Sequence, residues 1–457
     1  MHHPAFSLLC CLSLFTFASA LPHASPSLAR RAYPLPDSDP FYVPPPGYAT
    51  QSNGAVLNSR QVSTAFDAFA KSTYQVLYKT TAATGEADAT VAVLFAPLQA
   101  ANPPRIMILT PPTDSPNPNC ATSAGLVGGP AAGYNNLVNA PDIIIGLTKG
   151  WYVVVPDDQG SKAAFISGLT EALAALDSLR ALLNFKTTLP DSTGYKAVLH
   201  GYSGGGHASA WATQFVKTYG SPLNIIAAAY GGVPVALDTE LDFLSSGAFA
   251  SLGTAALAGL GNAFPDLEAW LQNNTTPAGK AALNSVRTDN SCNSFVSMPG
   301  VDVYSYFTNG RAALSEPIPQ KYIQAGLLGS AQSSQFASAS GVLPIPVFQY
   351  HSSSDEIVTY EPIPAYYADQ CARGATLQLS TTIISEHLTA DLLFLGDAYI
   401  YLENAFNGLF ANGGCSRSAT IVAPIFSPAY IAAVGMQAWS KILSLNGANI
   451  SGEKVSF

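Results

Sequence analysis

Charge is scarce in this chain. Only 11% of its 457 residues are Asp, Glu, Lys or Arg, while 48% are hydrophobic. A soluble domain ordinarily carries about 25% charge. Basic residues are the rarer sign, 20 against 29 acids, for a formal net charge of −9. Nucleic acid and anionic membranes are held by basic patches, so the charge balance argues against both as partners. Long apolar runs are few as well. Phe243 to Phe264 carries no charge and has the length of a membrane span. Its frequent glycines, the acids on both sides and the lack of a following Lys/Arg cluster argue for a cap helix with an apolar face instead. No transmembrane anchor is expected.

Cysteine is sparse too. Of six, Cys10 and Cys11 fall in an apolar segment, Phe6 to Phe17, that runs into Ala18-Ser19-Ala20. An apolar core followed by a small-x-small site is the pattern of an export signal, here residues 1–20. Arg30-Arg31 lies in a Pro/Ser-rich stretch. It either closes a propeptide over 21–31 or belongs to an ordinary exposed linker. Cys120, Cys292, Cys371 and Cys415 remain. An even number in an exported chain implies two disulfides, and three pairings are open. The spacings match no zinc site, and no metal or organic cofactor is implied. Glycosylation acceptors at Asn273, Asn274 and Asn449 agree with a secreted, extracellular location. Asn273 and Asn274 are adjacent and would rarely both be modified.

What the chain does have is alternation. Tyr74 to Tyr78 and Thr90 to Phe95 flank a turn-rich segment and predict a hairpin. Arg105 to Leu109, Trp151 to Val155, Lys196 to His200, Leu223 to Ala229, Pro346 to Tyr350 and Leu377 to Ile384 are further β-rich runs. Helical patterns lie between several of them. The clearest begins near Gly168, with Leu169, Leu173, Leu176, Leu179 and Leu183 at helical spacing. The expected fold is α/β, with an antiparallel start and a mostly parallel central sheet. Residues 238–330 break the alternation and predict an inserted, mainly helical cap or lid. The catalytic domain is then 32–237 with 331–457.

One motif carries chemistry. A strand ending at His200 runs into Gly201-Tyr202-Ser203-Gly204-Gly205, and a helix follows from His207. This is the strand–turn–helix setting that a G-x-S-x-G nucleophile elbow requires. Side chains at Gly201 and Gly205 would strike the neighbouring strand and helix. The tight turn lifts the Ser203 hydroxyl and aims the Gly204 N–H at a developing oxyanion. Outside that setting the same five letters would be a mere glycine-rich turn.

A serine nucleophile needs a base and an acid. The chain has seven histidines. His2, His3 and His23 lie in the leader. His200 ends the strand before the elbow, and His207 sits one turn into the helix. His351 precedes the best acid, against the chain order Ser, Asp/Glu, His of this fold. His387 remains, in a loop after the last strong strand. The acid follows the Pro346 strand and is Asp355 or Glu356. Asp355 is preferred as the partner of the base, with Glu356 capping the next turn.

These residues, in this order, resemble the fungal secretory lipase family from Tyr42-Val43-Pro44-Pro45 to about Gly414. The likeness is carried by Ile143-Ile144-Ile145-Gly146 with Gly150-Trp151-Tyr152-Val153-Val154, and by Lys162-Ala163-Ala164-Phe165-Ile166. It continues in the elbow with His207-Ala208, in Asp355-Glu356-Ile357-Val358 and in Glu386-His387-Leu388-Thr389-Ala390. The resemblance implies an α/β-hydrolase fold and favours Asp355 as the acid. It also implies a second oxyanion donor at Asp114, which read alone is an ordinary turn aspartate. The four mature cysteines fall at matching places, and Cys120–Cys292 with Cys371–Cys415 is the expected pairing. Asp157-Asp158-Gln159-Gly160 departs from the family pattern, as does the shortened segment after Cys415. The implied activity is a serine ester hydrolase acting on triacylglycerols at an oil–water interface. The alternatives are an esterase for short or bulky esters, a serine peptidase and a non-catalytic binding protein.

Overall fold

The β-rich runs pair into one sheet of ten strands. In the computed structural model of the protein the described residues are 33–442, apart from 131, 294, 334–337, 384, 411–412, 421–424, 426 and 441. The expected signal, the Arg30-Arg31 pair and Asn449 lie outside them. The strands are β1 (Val56–Gln61), β2 (Ala70–Thr81), β3 (Ala87–Pro97), β4 (Arg105–Thr110) and β5 (Tyr152–Pro156). They continue as β6 (Lys196–Tyr202), β7 (Ile225–Gly231), β8 (Val347–Ser352), β9 (Leu377–Thr382) and β10 (Ser416–Thr420). Their order across the sheet is β1-β2-β3-β5-β4-β6-β7-β8-β9-β10. The first three pairings, through β3 with β5, are antiparallel. Every later pairing is parallel. The hairpin and the parallel sheet therefore stand as expected. The edge strands β1 and β10 were not foreseen.

Helices cover both faces, as a parallel sheet demands. On one side α2 (Gly168–Asn184) and α3 (Gly204–Phe215) pack on Ile106, Ile108, Val154 and Leu199. On the other, α1 (Ala140–Thr148) and the long C-terminal helix, His387–Phe406, pack on Met107, Val153, Val155 and Val198. Neighbours along one strand thus serve opposite cores, which follows from the two-residue side-chain period. The predicted leucine stripe lies on α2, where Leu173, Leu176 and Leu179 are fully buried.

Between β7 and β8 the described residues build an insertion with five α-helices. They are α4 (Leu237–Leu244), α5 (Ala250–Ala263), α6 (Pro265–Asn274), α7 (Pro277–Thr288) and α8 (Pro317–Ala325). The insertion has its own core, which includes Leu241, Leu267, Trp270, Leu271, Leu283 and Val303. The uncharged run Phe243 to Phe264 is split between α4 and α5. Among the described residues no helix is long and apolar enough to cross a membrane. After β8 come α9 (Ile363–Ala372) and α10, the His387–Phe406 helix. The two disulfides form as expected, Cys120–Cys292 with S–S 2.08 Å and Cys371–Cys415 with S–S 1.99 Å.

Candidate active site

The strand order reverses at β4. The chain leaves β4 to make β5 on one side and returns to make β6 on the other. Loops after two such strands diverge and leave a crevice at their carboxyl ends, where open α/β sheets bind ligands. The β4 loop carries Asp114, and the β6 loop carries Ser203.

Ser203 sits between β6 and α3 with φ 58° and ψ −127°. Few non-glycine residues adopt such a backbone, and strain of this kind collects at functional sites. It is held there by its own N–H, which donates to the Gly231 carbonyl at 3.0 Å. The helix begins at Gly204, three residues earlier than expected from sequence. A Cβ on Gly205 would collide with the Thr110 carbonyl of β4, and one on Gly201 with the Gly205 carbonyl. A Cβ on Gly204 would collide with the Asp114 carboxylate. Asp114 therefore lies directly over the start of α3. It is buried with φ 48°, a second strained backbone at the same crevice. Burial pushes its carboxyl up to about 7, against the pull of His387.

His387 is not in a loop. It is the first residue of α10, with Glu386 as N-cap accepting from the Leu388 and Thr389 N–H groups at 2.7 and 3.0 Å. Its Nδ1 faces Asp355 Oδ2 at 2.6 Å. The other Asp355 oxygen accepts from the Ile357 and Val358 N–H groups at 3.0 and 2.8 Å. Asp355 thus caps the following turn itself, the task expected of Glu356. Glu356 instead accepts the His387 backbone N–H at 2.9 Å, helping to fix the start of α10.

Burial tends to lower the His387 pKa. The charge and hydrogen bond of Asp355 outweigh it and hold the imidazole above its ordinary value. Burial would raise the Asp355 carboxyl, but His387 and, more weakly, His351 keep it below the usual range. His387 Nε2 is buried with no hydrogen-bond partner among the described residues. That nitrogen is the one left to exchange a proton.

Tyr202 joins the imidazole to the elbow. Its hydroxyl donates to the His387 carbonyl at 2.7 Å, and its ring lies 4.8 Å from the imidazole, centroid to centroid. From the Gly231–Gly232 segment that anchors Ser203, a Cβ on Gly232 would come 2.9 Å from His387 Cε1. Sequence reasoning missed Tyr202 in this role. Its place inside the motif was the one available signal. His2, His3 and His23 lie outside the described residues; the other excluded histidines have partners of their own. His200 faces Asp142 and the Ala229 carbonyl at 2.9 and 2.8 Å, and His207 faces Glu171 at 2.6 Å. His351 faces the Val358 carbonyl at 3.0 Å.

Ser203, Gly204 and Asp114 line a predominantly apolar cavity. The insertion supplies most of its wall, including Leu241, Leu244, Leu252, Ala256, Leu257 and Leu260. Phe165 and Ile166 line it from the sheet side, and Ile357 and Val358 from the Asp355 loop. Asn290, two residues before Cys292, accepts from the Asn117 and Asn119 amides at 3.0 Å each. The insertion is thereby fastened to the loop that carries Asp114. Among the described residues no cluster of His, Cys, Asp and Glu is arranged to hold a metal.

A family model for secretory lipases matches residues 134–414. Lipase A of Moesziomyces aphidis is 35% identical over 456 residues, covering 96% of each chain. A secreted triacylglycerol lipase of Malassezia furfur is 28% identical over 93% of this chain and 91% of that protein. Among solved structures, Candida antarctica lipase A in its closed state matches with TM-score 0.83 and 33% identity, over 91% of this chain and 97% of that one. A rice cell wall degrading esterase from Xanthomonas oryzae matches with TM-score 0.62 at 18% identity, over 79% of this chain and 100% of that one, a likeness of fold alone. An α/β-hydrolase sheet, a strained serine at its switch point and these relatives lead to one assignment: the chain belongs to the secretory lipase family.

Proposed function

We propose that the protein is an exported triacylglycerol lipase in which Ser203, His387 and Asp355 form the catalytic triad. The observation that carries this reading is Ser203 on a strained elbow in the wall of an apolar cavity. In this mechanism His387 Nε2 takes the proton of the Ser203 hydroxyl as Oγ attacks the ester carbonyl. Asp355 keeps the second imidazole proton on Nδ1 and stabilises the imidazolium. The backbone N–H groups of Gly204 and Asp114 receive the oxyanion. His387 then protonates the departing glyceryl oxygen. Water, deprotonated by the same nitrogen, releases the fatty acid and frees Ser203.

Residues 238–330 act as the cap that holds the acyl chain at an oil–water interface, over a catalytic domain of 32–237 and 331–457. Asn273, exposed near the end of α6, is the acceptor we assign to glycosylation in this region. The side-chain nitrogen of Asn274 donates instead to the Trp270 carbonyl at 2.9 Å.

Ser203→Ala tests the reading. It should abolish labelling by a fluorophosphonate and lower hydrolysis of long-chain esters by roughly a million-fold, while the protein stays folded. A Ser203→Ala enzyme with wild-type hydrolysis would refute the assignment.

A further inference from the structure

Glu240 is out of place in the wall it belongs to. It lies on α4 in the wall of the cavity that Ser203 also lines, with Leu241, Leu244, Ile357 and Val358. The residue is only 8% exposed. One oxygen, Oε2, accepts the Thr359 N–H at 3.1 Å. The other, Oε1, is buried with no hydrogen-bond partner among the described residues. Burial, reinforced by nearby Asp355 and opposed by the Thr359 bond, pushes this carboxyl up to about 8. At neutral pH it is therefore an uncharged acid, able both to donate and to accept.

An unpaired carboxyl group inside an apolar cavity costs free energy. An unsubstituted hydrocarbon chain lying against it relieves none of that cost. A hydroxyl on the chain would, by pairing with Oε1. Buried polar atoms left without partners call for an explanation of this sort. A site that offers a hydrogen bond also discriminates far more sharply than one that offers apolar contact alone.

We propose that Glu240 makes the acyl cavity a recognition site for fatty acyl groups that carry a hydroxyl along the chain. The proposal rests on the cavity being the acyl site of the Ser203 nucleophile. Asp238, on the same helix, also borders the cavity. Its side chain is not among the buried ones, so it does not duplicate the role.

The test compares wild type with Glu240→Leu, Glu240→Met and Glu240→Gln. The substrates are esters of one medium chain length, unsubstituted or with a hydroxyl at a series of positions along the acyl chain. The quantity read is kcat/KM for each hydroxylated ester divided by that for the plain ester. For at least one isomer this ratio should be about tenfold or more higher in wild type than in the Leu or Met variant. Glu240→Gln should keep most of the preference, because an amide still donates and accepts. Two apolar variants guard against one failing to fold. Ratios equal within about twofold for every isomer would overturn the proposal, given the size a real hydrogen bond imposes. So would a preference that follows a hydroxyl placed on the alcohol half of the ester. Fluorophosphonate labelling of Ser203 is read in parallel. A wild-type enzyme that neither labels nor hydrolyses any ester brings down the catalytic reading itself. Labelled enzyme with flat ratios brings down only the role of Glu240.

Discussion

The two sides of Ser203 are built on different principles. Toward the sheet, polar atoms are tied in pairs: both Asp355 oxygens are taken, and both the N–H and the carbonyl of His387 are engaged. Toward the insertion, the wall is almost wholly hydrocarbon. Proton transfer depends on one tautomer at one distance, so each partner must be fixed. Holding an acyl chain requires volume and dryness, which many apolar side chains supply equally well. The polar side should thus be intolerant of small changes. The apolar side should respond by shifting its preference.

Three substitutions or conditions would break or sharpen that contrast. The largest effect is expected at Asp355→Asn, which keeps the shape but presents an amide to Nδ1. Hydrolysis of all esters should fall by roughly ten-thousand-fold, with chain-length preference unchanged. A loss under about tenfold would place the acid elsewhere. Next comes Ala256→Trp, which fills the cavity from α5. Long-chain esters should lose about ten- to a hundredfold in kcat/KM, while acetate and butyrate esters change by less than about threefold. Equal losses on both would mean that this cavity does not hold the acyl chain.

The smallest effect concerns both sides together. Burial pushes the Asp114, Asp157 and Asp391 carboxyls up to about 7 and that of Glu240 up to about 8. In the unfolded chain such groups release their protons near pH 4. Between about pH 4 and pH 8 the folded form therefore binds more protons, and stability falls as pH rises. His387, held above its ordinary value, acts in the same direction: the stability it contributes is complete at low pH and lost as pH rises through its folded value. Asp355 opposes them only in acid below its usual range. The thermal midpoint should be a few degrees lower at about pH 8.5 than at about pH 5. A higher midpoint at the alkaline end would contradict the neutral state of these carboxyls.

The elbow was legible because its rule is local: glycines two residues either side of a serine, between a strand and a helix. His387 was reachable because histidine is rare here and the alternatives fell away by position. Its place on a helix was not foreseen, since Glu386 is an unusual N-cap where Ser, Thr, Asp or Asn is the rule. The edge strands β1 and β10 hid for another reason. The half-buried VLNSRQ and the mostly exposed SRSAT show no apolar alternation to read. The roles of Tyr202 and Glu240, and the bond from Glu356 to the His387 N–H, were invisible because their partners lie 185, 119 and 31 positions away. No local pattern encodes a contact of that span, whereas the leucine stripe of α2 needed only its own period.

The bridge between Cys120 and Cys292 joins loops 172 residues apart. The insertion already meets the sheet at its two chain junctions. A third rivet, set beside Asn290 and its bonds to Asn117 and Asn119, ties it to the β4 loop as well. Any displacement of this roof must either bend the roof itself or drag on the β4 loop. Asp114 rides on that loop, six positions before Cys120. On the proposed reading the cap and the oxyanion donor at Asp114 are thus tied to one another by the disulfide and the Asn290 bonds together.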